Sequence, residues 1–153
     1  MASQTPPSTL EEQVRWLLDR AAINDLLVEH ARCLDDKDWD GLQALFTEDG
    51  YLQLPFGRIE ADAMGSTSAT HLDSYFATHH MSSNYAIELD GDTANARSYF
   101  SAAHVPSSED LWAHGDIGGW YQTTFRRVDG RWRIATIDET FLWRIGRGAP
   151  DDR

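Results

Sequence analysis

From Thr9 onward, apolar residues return at three- and four-residue intervals: Leu10, Val14, Leu17, Leu18 and Ala21, then Ile23, Leu27, His30 and Leu34. This spacing draws one stripe along a long helix, with Glu11 and Glu12 near the positive end of its dipole. The run Asp35-Asp36-Lys37-Asp38 has no apolar face to bury, so the helix is expected to stop there. Asp38 is then placed to cap a second, short helix over Trp39–Phe46, with Trp39, Leu42, Leu45 and Phe46 broadly on one side. Thr47 to Gly50 reads as a turn and Tyr51 to Leu54 as a short strand closed by Pro55 and Gly57. Gly65 to Ser68 reads as a loop. Leu72, Tyr75 and Phe76 predict a third helical stretch ending near His79-His80.

Beyond that pair the period changes from helical to alternating. Met81–Leu89 and Thr93–Val105 read as two long strands joined by a tight turn at Asp90-Gly91-Asp92. Pro106 to Asp110 forms a loop. Trp120–Val128 and Arg131–Trp143, rich in β-branched and aromatic residues, make a second hairpin about Asp129-Gly130. No internal repeat or low-complexity tract is present. Helices first, then an antiparallel meander, indicate an α+β fold. A curved antiparallel sheet wrapped around the N-terminal helices gives a cone whose mouth is a natural small-molecule pocket. One such domain is expected over residues 9–145, with flexible tails at 1–8 and 146–153.

Composition narrows the choices. The 153 residues carry 25 acidic and 13 basic side chains, a formal net charge of −12, so there is no basic face for nucleic acid or an anionic membrane. Lys37 is the single lysine and lies in the charged run, which argues against Schiff-base chemistry. One cysteine, Cys33, makes no internal disulfide and fits a reducing compartment; the expected location is cytoplasmic. The polar start Met1 to Ser8 shows no secretory pattern, and charges interrupt every apolar run well short of a membrane span.

Several side chains are candidates for chemistry. Asp35 falls at the end of the first helix, where the dipole disfavours a carboxylate. It is either a solvated member of an acidic run or the partner of a histidine, the arrangement that fixes an imidazole tautomer. Of the six histidines, none falls in a familiar metal-ligand spacing, and no metal is expected. His30 lies on the apolar stripe, either as a core residue or facing a cavity. His80 stands where a helix hands over to a strand, and His79 beside it must point the other way. His80 has the parity of Ser82 and Asn84, and His104 that of Phe100 and Ala102, but a one-residue slip in the turn would put the two sets on opposite faces. Tyr51 and Tyr121 are half-buried sheet aromatics or phenol donors. Cys33 reads as a small buried helix residue. No GxSxG elbow, Walker loop or GxGxxG occurs, and no cofactor is expected.

Together, Arg20 to Leu26, Asp35, Leu45 to Gly50, His79 to Asn84, Leu89 to Ala94 and Val128 to Trp132 resemble the SnoaL-like group of the nuclear-transport-factor-2-like superfamily. The resemblance covers roughly Thr9 to Trp143. It is closest to the branch of scytalone dehydratase, bile-acid 7α-dehydratase and hexachlorocyclohexane dehydrochlorinase, and it implies the same cone, a cystatin-like α+β barrel. In that branch an aspartate ending the first helix pairs with a histidine opening the strand after the third helix. Asp35 and His80 occupy those places, which implies His80 as general base and Asp35 as the group that orients it.

The resemblance also implies departures. A phenol donor from the first helix is missing, since His30 and Leu34 stand where relatives carry tyrosine. Tyr51 or His30 is then the replacement donor, with His104, Asn84 and Tyr121 as further contacts to substrate. Arg126 or Arg127 matches a pocket arginine of the dehydrochlorinase. The implied activity is a cofactor-independent lyase of the dehydratase type on a hydrophobic cyclic or polyketide-like molecule. An isomerase or cyclase, or a binding module without chemistry, is the alternative. A homo-oligomer is implied, a trimer favoured over a dimer, with Phe141, Leu142 and Trp143 covering either a neighbour's sheet or their own.

Overall fold

Helix α1 spans Leu10–Asp36 in the computed structural model, which describes residues 6–146. Residues 1–5 and 147–153 of the two expected tails lie outside the described residues. A capping box fixes the start of α1: Thr9 accepts from the Glu12 backbone N–H, and the Glu12 carboxylate accepts from that of Thr9. Lys37 ends it, turning the chain with φ 56° while its N–H closes on the carbonyls of Cys33 and Leu34. Asp38 caps α2 (Trp39–Ala44) by accepting from the Gly41 N–H.

The stripe of α1 is only half used. Ile23, Leu27, His30 and Cys33 are buried, whereas Leu10, Val14, Leu17 and Leu18 are exposed. A helix of 27 residues runs about 40 Å, and only its C-terminal half packs into the core.

Two expectations in the next stretch are corrected. Thr47 to Gly50 is not a turn but part of strand β1 (Phe46–Leu54), followed by β2 (Gly57–Glu60). The third helix comes earlier than its apolar spacing suggested: α3 is Met64–Leu72, after a single 3-10 turn at Ala61–Ala63, and Tyr75 and Phe76 lie beyond it. Gly65 sits inside α3 because an added Cβ would come within 2.9 Å of the Trp39 carbonyl oxygen. The small residues that read as a loop let α3 lie close against α2.

The hairpins form as the alternation predicts. β3 (Ala77–Asp90) pairs antiparallel with β4 (Thr93–Val105), and β5 (Gly115–Val128) with β6 (Arg131–Gly146). Gly91 (φ 58°) opens the first turn, and Asp129 and Gly130 (φ 49° and 75°) both take the left-handed backbone a type I′ turn requires. The strand order is β2-β1-β6-β5-β4-β3. One ladder departs from the antiparallel expectation: β1 runs parallel to β6, so the sheet is mixed. It curves without closing. Bulges interrupt β5 against β6 at Gly118/Gly119, where the Trp143 ring covers Gly118 more closely than a Cβ would allow. The register shift leaves Phe141 opposite Gly119 and Trp143 opposite Gly118, so Phe141 turns into the concave face and Trp143 packs outside.

Candidate active site

Along β4 the even-numbered residues from Ala94 to His104 are buried and the odd ones are not, a period-2 pattern with one face toward α1. The β3–β4 register sets Thr78 opposite His104 and His80 opposite Ala102. The open question of the turn is thereby answered: His80 and His104 share the concave face, their rings 5.6 Å apart at 83°. His79 is exposed on the other side.

Asp35 meets this strand from the end of α1. Its carboxylate receives the His80 backbone N–H at 2.9 and 3.0 Å, the Thr78 hydroxyl at 3.0 Å and the His80 Nδ1 at 2.7 Å. Burial is the largest single influence on Asp35 and opposes its charge. The hydrogen bonds from the side chain and backbone of His80, with the His80 charge and Thr78, together outweigh it and hold the carboxyl below its ordinary value. A carboxylate only accepts, so Nδ1 carries the hydrogen and Nε2 is left as a lone-pair acceptor. The pair is mostly enclosed, with side-chain exposures of 12% for His80 and 24% for Asp35.

Beside the pair lies a cavity of about 130 Å³. α1 contributes His30 and Leu34, β1 Leu52 and Leu54, and α3 Met64, Ser68 and His71. The sheet contributes His80, Phe100, His104, Tyr121, Glu139 and Phe141. Phe100 and Tyr121 stack at 4.4 Å, and His30 stands edge-on to Tyr121 at 6.2 Å. Burial, with the nearby His80 adding to it, pushes the pKa of His30 and of His104 down to about 4. Both are therefore neutral at physiological pH. His104 Nδ1 is buried and has no hydrogen-bond partner among the described residues. The Cys33 thiol is pushed up to about 11 by burial and is no nucleophile.

His30, His104 and Tyr121 thus reach the cavity; two other expected contacts do not. Tyr51 alternates with Leu52 and Leu54 on β1, and since those two face the cavity it faces away, under the Arg58 guanidinium at 3.6 Å. Asn84 occupies the bulge between Ser83 and Ala86 with φ 56° and an exposed side chain, so it serves the bend of β3. Neither Arg126 nor Arg127 lines the cavity: Arg126 binds Asp49 and Thr47, and Arg127 binds Asp19 and Asp92.

Glu139 was missed from sequence, though a signal existed. Ile137, Glu139 and Phe141 share parity, and a strand burying the first and last turns the acid inward too. Burial pushes its carboxyl up to about 8, against the opposing hydrogen bond of Tyr121. Among the described residues, no three His, Cys, Asp or Glu side chains converge as a metal-ligand set. No helix among them is long and apolar enough to cross a membrane.

The family model described as the SnoaL-like domain matches residues 15–138. An uncharacterized protein of Mycobacterium tuberculosis is 28% identical over 143 residues, covering 83% of this chain and 88% of its own. A candidate scytalone dehydratase from Novosphingobium aromaticivorans superposes with a TM-score of 0.77 at 26% identity, covering 88% of this chain and 93% of that one. A hexachlorocyclohexane dehydrochlorinase from Novosphingobium barchaimii gives a TM-score of 0.75 at 16% identity, with coverage of 87% and 92%, a likeness of fold.

Proposed function

The chain belongs to the SnoaL-like domain family, and on that premise we propose that it is an acid–base enzyme acting on an apolar small molecule. In this reading it is a lyase of the dehydratase type: His80 withdraws a proton from carbon and Asp35 holds the imidazole for that task. The reaction calls for no cofactor.

The observation that carries this reading is the Asp35–His80 pair at the cavity wall, 2.7 Å apart. Asp35 fixes the Nδ1–H tautomer and stabilises the imidazolium formed on proton transfer. The free Nε2 is the atom that takes the proton, from a carbon made acidic by an adjacent carbonyl. Apolar walls around it exclude water from the charge that develops. Both enzymatic neighbours bear the names of eliminating enzymes, which agrees with a base of this kind.

The test is conversion of cyclic β-hydroxyketones followed by mass spectrometry. Wild type is expected to release water. His80→Ala and Asp35→Asn should each slow turnover by about 10²- to 10⁴-fold with unchanged circular dichroism. Full turnover in either variant overturns the assignment. A product of unchanged mass makes the protein an isomerase, and binding without conversion by wild type makes it a binding module.

A further inference from the structure

Glu139 is not explained by the base. It stands on β6 directly opposite Tyr121 of β5, on the face that also carries Phe141, and it lines the same cavity as His80. Among the described residues, no lysine or arginine lines that cavity to neutralise a carboxylate. The other titratable side chains on its walls are His30 from α1, His71 from α3, His80 from β3, His104 from β4 and Tyr121. Of these, His30 and His104 are held neutral. A carboxyl among aromatic walls with no cation is favoured in its protonated form, in which it becomes a hydrogen donor. The Tyr121 hydrogen bond opposes that protonation, and burial outweighs it.

His80 and Glu139 belong to strands three steps apart in the sheet, roughly 14 Å at the backbone, and both side chains reach over the concave face into one space. β3 therefore offers a lone pair and β6 a proton to the same cavity. An elimination uses both at once when its leaving group is a poor one. Chloride departs unaided, whereas hydroxide is expelled from carbon only with a proton supplied to its oxygen.

We propose that Glu139 is the proton donor of this cavity, handing its carboxyl hydrogen to a departing hydroxyl, so that the substrate is a β-hydroxy carbonyl compound with an apolar cyclic body and the second product is water. The step rests on His80 acting as base. The His80 Nε2 takes the hydrogen from carbon, and the freed C–H pair becomes the C=C bond. The C–O bond breaks with its electrons going to oxygen, and that oxygen takes the Glu139 hydrogen and leaves as water. The imidazolium proton then returns to the Glu139 carboxylate through solvent, restoring both groups.

Two probes with different leaving groups test this: 3-hydroxycyclohexanone, which needs the proton, and 3-(4-nitrophenoxy)cyclohexanone, which expels a stable phenolate without one. Glu139→Gln is expected to slow the first by about 100-fold or more and the second at least about tenfold less. His80→Ala should slow both. Equal loss on both probes in Glu139→Gln overturns the donor role and leaves the base intact. Undiminished turnover of both in His80→Ala overturns the base instead. No turnover of either probe by wild type overturns both assignments for carbonyl-activated substrates. A second reading needs no turnover: wild type minus Glu139→Gln should show the infrared carbonyl band of a protonated carboxyl at pH 7. Its absence removes the donor and overturns the proposal.

Discussion

Asp35 stands at the C-terminal end of α1, where the helix dipole opposes negative charge, and its carboxyl is nevertheless held below its ordinary value. The hydrogen bonds from His80 and Thr78 outweigh both dipole and burial. A carboxyl whose folded pKa is lowered stabilises the fold above its unfolded pKa, about 3.9, and the contribution disappears as pH falls through the folded value. Asp35→Asn should therefore have a lower urea midpoint than wild type at pH 7, and the gap should close below about pH 4. A gap that persists there would mean that the carboxylate charge is not what Asp35 contributes. At this scale the sequence was informative where position along an element fixed direction. Asp35 does sit at the end of α1, whereas His80 lies four residues into β3 rather than where a helix hands over to a strand, and the strand's alternation turns it toward Asp35. Tyr51 does not reach the cavity because Leu52 and Leu54 take the inward face of β1 and alternation turns the residue beside them outward. Asn84 failed because a bulge turns it out, and a bulge leaves no periodic trace.

The misplaced third helix shows how an element can be disguised. Met64–Leu72 contains glycine, serines and threonines, residues that favour turns over helix, yet it is helical because small side chains are what the contact with α2 admits. Helix propensity alone makes Gly65→Ala stabilising by up to about 1 kcal/mol. The contact says the reverse, because the new methyl would meet the rigid Trp39 carbonyl at 2.9 Å. We expect Gly65→Ala to destabilise by about 1–3 kcal/mol in urea unfolding, since α3 must lift from α2 to admit it. A stabilised variant would show that the α2–α3 contact yields. Helix α1 carries the converse lesson: its stripe is continuous in sequence, and only the fold decides that the packed half begins near Ile23.

At the scale of the whole molecule, the meander and its two hairpins were legible because their turns and alternation are local. The parallel ladder between β1 and β6 was not, since it pairs residues as far apart as Phe46 and Ile134 or Gln53 and Asp138 with no turn to announce it. The same topology gathers His30, His104 and Glu139 around one cavity and so couples folding to pH. His30 and His104 have folded pKa values near 4, far below the unfolded imidazole. Their contribution is complete above about pH 6.5 and is lost as pH falls toward 4, because only the unfolded chain binds those protons. Glu139 acts in the opposite sense: its folded pKa is raised to about 8. Its contribution is complete below about pH 4.3 and is lost as pH rises toward 8. Between about pH 4.5 and 6.5 the two imidazoles outnumber the one carboxyl by a net proton, so stability rises with pH by about 1.4 kcal/mol per unit. Above that window only Glu139 is left and stability falls by a similar slope. Urea midpoints measured from pH 5 to 8 should pass through a maximum near 6.5 in wild type. Glu139→Gln should keep the acid-side rise, steepened toward two protons, and lose the alkaline-side fall. A fall that survives in Glu139→Gln would assign it to another group and mean that Glu139 is ionised in the folded protein.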